Sequence, residues 1–135
     1  LVASPDLLAR LGTPAAPADL ADWPSLGLGP PQQQYKWTLF GPDAAQAIVH
    51  QSPRLLTTDM IALRIAAMAG VGIVQLPTLM VCDQLAEGSL IRPLPEWAPR
   101  REIIHAVFSS RRGQIPSVRA LIDYLVQRFD VLEED

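Results

Sequence analysis

Two hydrophobic periods alternate along the chain. The clearest helical one lies in residues 118–129, where Val118, Leu121, Ile122, Leu125, Val126 and Phe129 recur every three or four positions. That spacing draws one apolar stripe along a helix. Arg119, Asp123, Gln127 and Arg128 take the outer face, and Ser117 stands where an N-cap hydroxyl is wanted. Period two appears in Tyr35-Lys36-Trp37-Thr38-Leu39-Phe40, an alternating, aromatic-rich strand. Gly41-Pro42-Asp43 forms a turn after it, and residues 45–50 supply the returning strand of a hairpin. Residues 102–108 are apolar on both faces, which predicts a covered strand.

Residues 57–77 show a third pattern, and the rest of the chain is organised around it. Met60, Ile61, Ala62, Leu63, Ile65, Ala66, Ala67, Met68 and Ala69 form an almost uniformly apolar run with Arg64 as its only charge. Such a helix is expected to be buried on most of its circumference. Thr57, Thr58 and Asp59 are short oxygen-bearing side chains suited to its start, and Gly70 to its stop. Residues 71–76 then predict a short buried strand ended by Pro77. Polar-capped helix, glycine turn and buried strand make half of an α/β crossover. Free N–H groups and the helix dipole favour an anion at the start of such a helix. Asp59 argues the other way, unless its carboxylate is itself the cap.

The remaining segments are shorter. Ser4, Pro5 and Asp6 open a helix whose stripe is Leu7, Leu8 and Leu11, and Gly12 ends it. Residues 18–22 predict one helical turn and residues 26–29 a short strand. Thr78 is placed to cap a second helix carrying Leu79, Met80, Val81, Leu85 and Ala86, with Gly88 as its stop. Residues 89–94 predict an edge strand, because Pro93 cannot donate to a ladder.

Composition narrows the function classes. A chain of 135 residues, 49% hydrophobic, has the material for one real core. Its net charge of −3 lacks the basic footprint of a nucleic-acid binder. Arg64 and Gln75 interrupt the longest apolar run before it reaches a membrane span. The opening residues carry no basic segment ahead of an apolar core, so a cytoplasmic protein, cut from something longer, is expected. Cys82 is the only cysteine, which excludes a disulfide framework and a thiolate metal cluster. Its apolar neighbours predict a buried, inert thiol. His50, His105 and Cys82 fall in separate elements with no motif around any of them. No acid, base or nucleophile converges, so neither an enzyme nor a cofactor or metal protein is expected.

Several segments resemble one family. Residues 3–26 (ASPDLLARLGTPAAPADLADWPSL) are similar to the segment aSPxYLxxxGxPxxPxDLxxHxxL of LysR-type transcriptional regulators. Asp6 and Leu7 stand where Ala or Glu and Tyr are common, and Trp23 replaces a frequent His. Residues 52–57 repeat the family's sprLxT. Residues 56–77 resemble its effector-binding region, where a polar pair opens a helix, aGxGi follows and lP closes the strand. Leu85, Glu87, Gly88, Leu90 and Leu94 match the next segment. Residues 103–129 resemble the closing xxxxvyPsrrxxxPxvraFidfL. The matches run in order from residue 1 to about 130.

The resemblance implies an α/β, type 2 periplasmic-binding-protein-like fold: the second lobe of a two-lobed domain plus the returning strand and helix of the first lobe. Residues 1–98 would be effector-binding lobe II with its hinge strands. Residues 99–135 would be the return crossover, strand and C-terminal helix of lobe I. A small-molecule effector, a carboxylate or other anion being the class considered, would bind between the lobes. Its contacts in this lobe would be Thr57, Thr58, Asp59, Met60, Gly72, Ile73 and Pro77, with Ser4 and Pro5 near the hinge. DNA would be bound only by an N-terminal helix-turn-helix absent from this sequence, in a homo-oligomer, with no membrane partner. A free-standing solute-binding protein or transferase on the same fold is the alternative. Residues 102–129 are expected to pack against a second copy or fold back onto lobe two.

Overall fold

The computed structural model describes residues 1–31, 34–101, 105, 107 and 115–130. The chain divides into two compact units, Leu1–Arg101 and Glu102–Asp135. The first unit opens with helix α1 (Pro5–Leu11). Ser4 caps it, its Oγ accepting from the Leu7 N–H at 3.2 Å. Gly12 ends it at a positive φ of 93°. The 3₁₀ turn Pro17–Asp22 follows where one helical turn was expected. The Asp19 carboxylate accepts from the Ala15 and Ala16 amides at 2.8 and 2.9 Å. Those two bonds, Ala16's first, hold its pKa below the ordinary 3.8.

Two three-stranded sheets are built next. Strands β1 (Ser25–Leu28), β2 (Tyr35–Phe40), β3 (Gln46–Gln51) and β4 (Pro53–Thr57) come first. Helix α2 (Met60–Met68), strand β5 (Ile73–Val74), the 3₁₀ turn Thr78–Met80, helix α3 (Cys82–Ala86) and strand β6 (Ala98–Pro99) follow. One sheet has the order β4-β1-β5, with both neighbours parallel to β1. The other has the order β3-β2-β6 and is antiparallel. The parallel sheet needs a helical crossover, and α2 supplies it between β4 and β5.

Two buried clusters form the core, and neighbouring residues of β5 enter different ones, Val74 the first and Ile73 the second. Leu63 and Ala67 of α2 lie on Leu26 and Val74, joined by Val2, Val81 and Leu90. Leu7, Leu20, Trp37, Leu39 and Ile73 form the second cluster. Burying one such leucine is worth about 1.5–3 kcal/mol. Trp37 is buried with its polar atoms satisfied. The Gln51 carboxamide oxygen accepts from its N–H at 3.2 Å and from its Nε1–H at 2.9 Å. The Trp97 ring covers Gly41 so closely that a Cβ there would lie 2.8 Å from it.

Several expectations change. Strands β4 and β6 were not foreseen: each lies at a sheet edge, and each contains a proline that weakens the strand signal. The buried strand of residues 71–76 shrinks to β5. Residues 89–94 form no strand, only a bridge between Ile91 and Ala3. Thr78 caps nothing; it is the first residue of its 3₁₀ turn. Helix α2 buries Leu63 and Ala67 but leaves Ile61, Ile65 and Met68 exposed, so an apolar composition did not imply an enclosed helix. Cys82 is exposed at the start of α3, because the buried position of that turn is taken by Val81.

In the second unit, helix α4 (Pro116–Asp130) carries the foreseen 3.6-residue stripe. Ser117 lies inside it; the first bonds are accepted by the Ile115 carbonyl, from the Val118 and Arg119 amides. Val118, Leu121, Leu125 and Phe129 along the stripe are exposed. The Arg128 guanidinium sits 5.9 Å from the Tyr124 ring centroid. Residues 102–104, 106 and 108, most of the expected covered strand, lie outside the described residues.

The β2–β3 turn yields a stability prediction. Asp43 and Ala44 both have positive φ, 55° and 59°, and the Ala45 amide donates to the Pro42 carbonyl at 2.9 Å. Two central residues with positive φ suit a tight hairpin, but an L-residue with a Cβ loses about 1 kcal/mol there. Ala44→Gly is therefore expected to raise stability by several tenths to about 1 kcal/mol. A urea midpoint that falls instead would contradict this account of the turn.

Candidate functional site

Ligands of open parallel sheets gather at the carboxyl ends of the strands, where the chain leaves in different directions. In this chain that edge is made by β1 and β4, whose last residues, Leu28 and Thr57, are paired. The Gly29 amide donates to the Thr57 carbonyl at 3.0 Å, carrying the pairing one residue further. Gly29 has a φ of 116°, and nothing lies within 4 Å of where its Cβ would be. The backbone at the end of β1 is therefore open to a close approach.

Residues 57–60 turn the chain from β4 into α2. The Thr57 Oγ1 accepts from the Asp59 amide at 3.1 Å. Asp59 is the N-cap: its Oδ1 accepts from the Ile61 amide at 2.8 Å and the Ala62 amide at 3.3 Å. The Leu63 amide closes the first helical turn on the Asp59 carbonyl at 3.2 Å. Thr58 is exposed, and its hydroxyl bonds no other described residue. Met60 is half-buried against the first core cluster. The arrangement offers a ligand an exposed hydroxyl, a glycine backbone and a carboxylate already engaged with the helix.

The expected residues do not all gather there. Gly72 and Ile73 sit beside Ser25, at the amino end of the strands, opposite Thr57. Ile73 is wholly buried, and a Cβ on Gly72 would lie 2.6 Å from the Pro24 carbonyl oxygen. Both are packed inside the fold, away from the Thr57 edge. Pro77 is exposed beyond the end of β5, where its carbonyl accepts from the Met80 amide at 2.9 Å. Ser4 is buried as the α1 cap and Pro5 is exposed. Leu28 and Gly29 were not singled out from the sequence. The signal was a glycine directly beyond a short strand.

Two shallow cavities lie elsewhere. One of about 370 Å³ is lined by Gln34, Tyr35, His50, Gln51, Ser52 and Pro53. The other, about 410 Å³, is lined by Asp6, Ala9, Arg10, Ala69 and Gly70. Neither includes a residue of 57–60. Among the described residues, no three His, Cys, Asp or Glu side chains converge as a metal would require. No described helix is long and apolar enough to cross a membrane.

The family model of the LysR substrate binding domain matches residues 1–130. The chain belongs to that family. Among its relatives, the HTH-type transcriptional regulator PtxR of Pseudomonas aeruginosa is 33% identical over 124 residues, covering 92% of this chain and 39% of that protein. The HTH-type transcriptional regulator CrgA of Neisseria meningitidis is 31% identical over 128 residues, covering 94% of this chain and 42% of its own. This LysR-family chain thus spans about two fifths of the curated relatives it matches. The CrgA regulatory domain superposes with a TM-score of 0.75 at 28% identity, covering 93% of this chain and 62% of that one. The regulatory domain of AphB from Vibrio vulnificus gives 0.66 at 30% identity, covering 73% and 49%. The fold is accordingly the periplasmic-binding-protein-like α/β fold of LysR regulatory domains.

The cap yields the test of this local geometry. Asp59→Ala removes the acceptor of two amides and is expected to cost about 1 kcal/mol, whereas Asp59→Asn keeps a capping oxygen and loses only a few tenths. Thermal unfolding of both variants checks this; equal losses would mean that Asp59 acts by charge alone.

Proposed function

We propose that this chain is the ligand-sensing part of a LysR-type regulator, and that its share of the effector site is the edge formed by Leu28, Gly29, Thr57, Thr58, Asp59 and Met60, with Pro77 nearby. The observation that carries the reading is the exposed, unbonded Thr58 hydroxyl where the chain leaves β4 for α2. Residues 1–98 serve as the second lobe around a hinge at Ser4 and Pro5, and residues 99–135 return to the first. The names of the relatives favour a transcription regulator over a solute-binding protein or transferase. In this reading the chain has no catalytic role, works in the cytoplasm and reaches DNA only through a helix-turn-helix domain of the whole protein.

The Asp59 cap bears on the effector's chemistry. The amides of Ile61 and Ala62 are already taken by a carboxylate, so α2 is a poor anion holder. An effector carboxylate would be gripped outside this helix, and this lobe would meet the effector's neutral polar or apolar portion.

A thermal-shift screen of small metabolites against the full-length regulator identifies the effector. Thr58→Val is then expected to weaken its binding about two- to tenfold, the worth of one hydrogen bond. Unaltered affinity in calorimetry would remove Thr58 from the site.

The whole regulator is proposed to be a homo-oligomer. Ile61, Ile65 and Met68 on α2 and Leu55 on the edge strand β4 are the exposed apolar residues that a second copy would cover. Ile65→Glu is expected to lower self-association at least about tenfold in sedimentation, since a charge would be buried there. An unchanged association constant would place the interface elsewhere.

A further inference from the structure

We propose that Arg10 latches α1 and residues 1–4 to the far end of α2, so that these elements move as one body. The inference rests on reading α2 as the helix that carries the effector site at its start.

The far end of α2 has a stop of its own apart from Arg10. The Gly70 amide donates to the Ala67 carbonyl at 3.0 Å, and the Val71 amide to the Ala66 carbonyl at 3.1 Å. With Gly70 at a φ of 71°, this is the full pair of bonds of a Schellman ending. The Ala66 and Ala67 carbonyls are therefore satisfied within the turn itself. Arg10 nevertheless reaches across 60 residues of sequence, and its Nη2 donates to the Gly70 carbonyl at 2.7 Å in a partly buried setting. Its charge also suits the negative end of the α2 dipole.

The same turn touches Ser4. A Cβ on Gly70 would lie 3.2 Å from the Ser4 Oγ and 3.3 Å from the Arg10 Nη2. Ser4 caps α1, the helix that carries Arg10. Immediately before it, Val2 exchanges two backbone bonds with Val74, at 2.9 and 3.0 Å. Ala3 exchanges two with Ile91, at 3.0 and 2.9 Å. Residues 1–4, α1 and the α2 stop thus form one closed loop of contacts, and Arg10 makes the only side-chain hydrogen bond between α1 and that stop among the described residues. A shift of the nine-residue α2 at Asp59 would be carried along a rigid rod of about 13 Å to Ser4. Arg10 is a positioning residue in this scheme; it touches no ligand.

Hydrogen exchange in the full-length regulator tests the latch without any effector. Arg10→Met keeps the aliphatic stem and removes the donor; Arg10→Lys keeps a donor. With Arg10→Met, the amides of Val2, Ala3, Gly70 and Val71 are expected to exchange about tenfold faster, while those of the β2–β3 hairpin change less than about twofold. Arg10→Lys should fall between it and the parent, and it carries the test if the methionine variant does not fold. Overturning results are unchanged exchange at Val2 and Ala3, or equal acceleration at every amide, which would make Arg10 an ordinary stabilising contact. Neither outcome depends on Thr58. A Thr58→Val variant with full effector affinity would sink the site and leave the latch standing, and unchanged exchange would do the reverse.

Discussion

The parallel pairing of β4 with β1 is the constraint on which this lobe depends. It sets Thr57 beside Leu28, and the Gly29 amide closes on the Thr57 carbonyl. Once that register is fixed, the chain must leave the sheet edge at Thr58 and Asp59 and return through α2 to reach β5. A crossover between parallel strands has to pack a helix on the sheet, and Leu63 and Ala67 provide the packing face. The candidate site is thus the place where a sheet edge, a glycine backbone and a helix start coincide.

The Asp59 cap links stability to function at that edge. A helix start with free amides would be a ready anion site. Here the same donors hold the helix to its own carboxylate, and the exposed groups left over are a hydroxyl and a glycine backbone. The cap therefore leaves the Ile61 and Ala62 amides unavailable to an anion. The apolar outer face of α2 has a second consequence: one helix carries the packing core on Leu63 and Ala67, the site at its start and an exposed stripe on Ile61 and Ile65.

Local signals explain what the sequence made legible. Ser4-Pro5 and Gly12 bound α1 because capping chemistry acts within a few residues. The alternation of Tyr35 to Phe40 foretold β2, and the 118–129 periodicity foretold α4. What failed was nonlocal. Whether an apolar helix is enclosed depends on what covers it, and Ile61 and Ile65 are more than half exposed. Gly72 and Ile73 were assigned to the site from their place in a family motif. The register puts them three residues along β1 from the Thr57 edge, against the Pro24 backbone. The local role of Thr57 and Asp59 was legible because threonine and aspartate at a helix start bond the free amides within a few residues. Gly29 was missed because its meaning comes from its neighbour β4.

The central claim is that the effector meets this lobe at the carboxyl edge of β1 and β4. Amide hydrogen exchange of the full-length regulator, with and without its effector, tests it most directly. The account predicts new protection centred on Gly29, Thr58, Asp59 and Met60. Protection confined to Tyr35 and His50, or to Asp6 and Ala9, with the Thr58 edge unchanged, would contradict it.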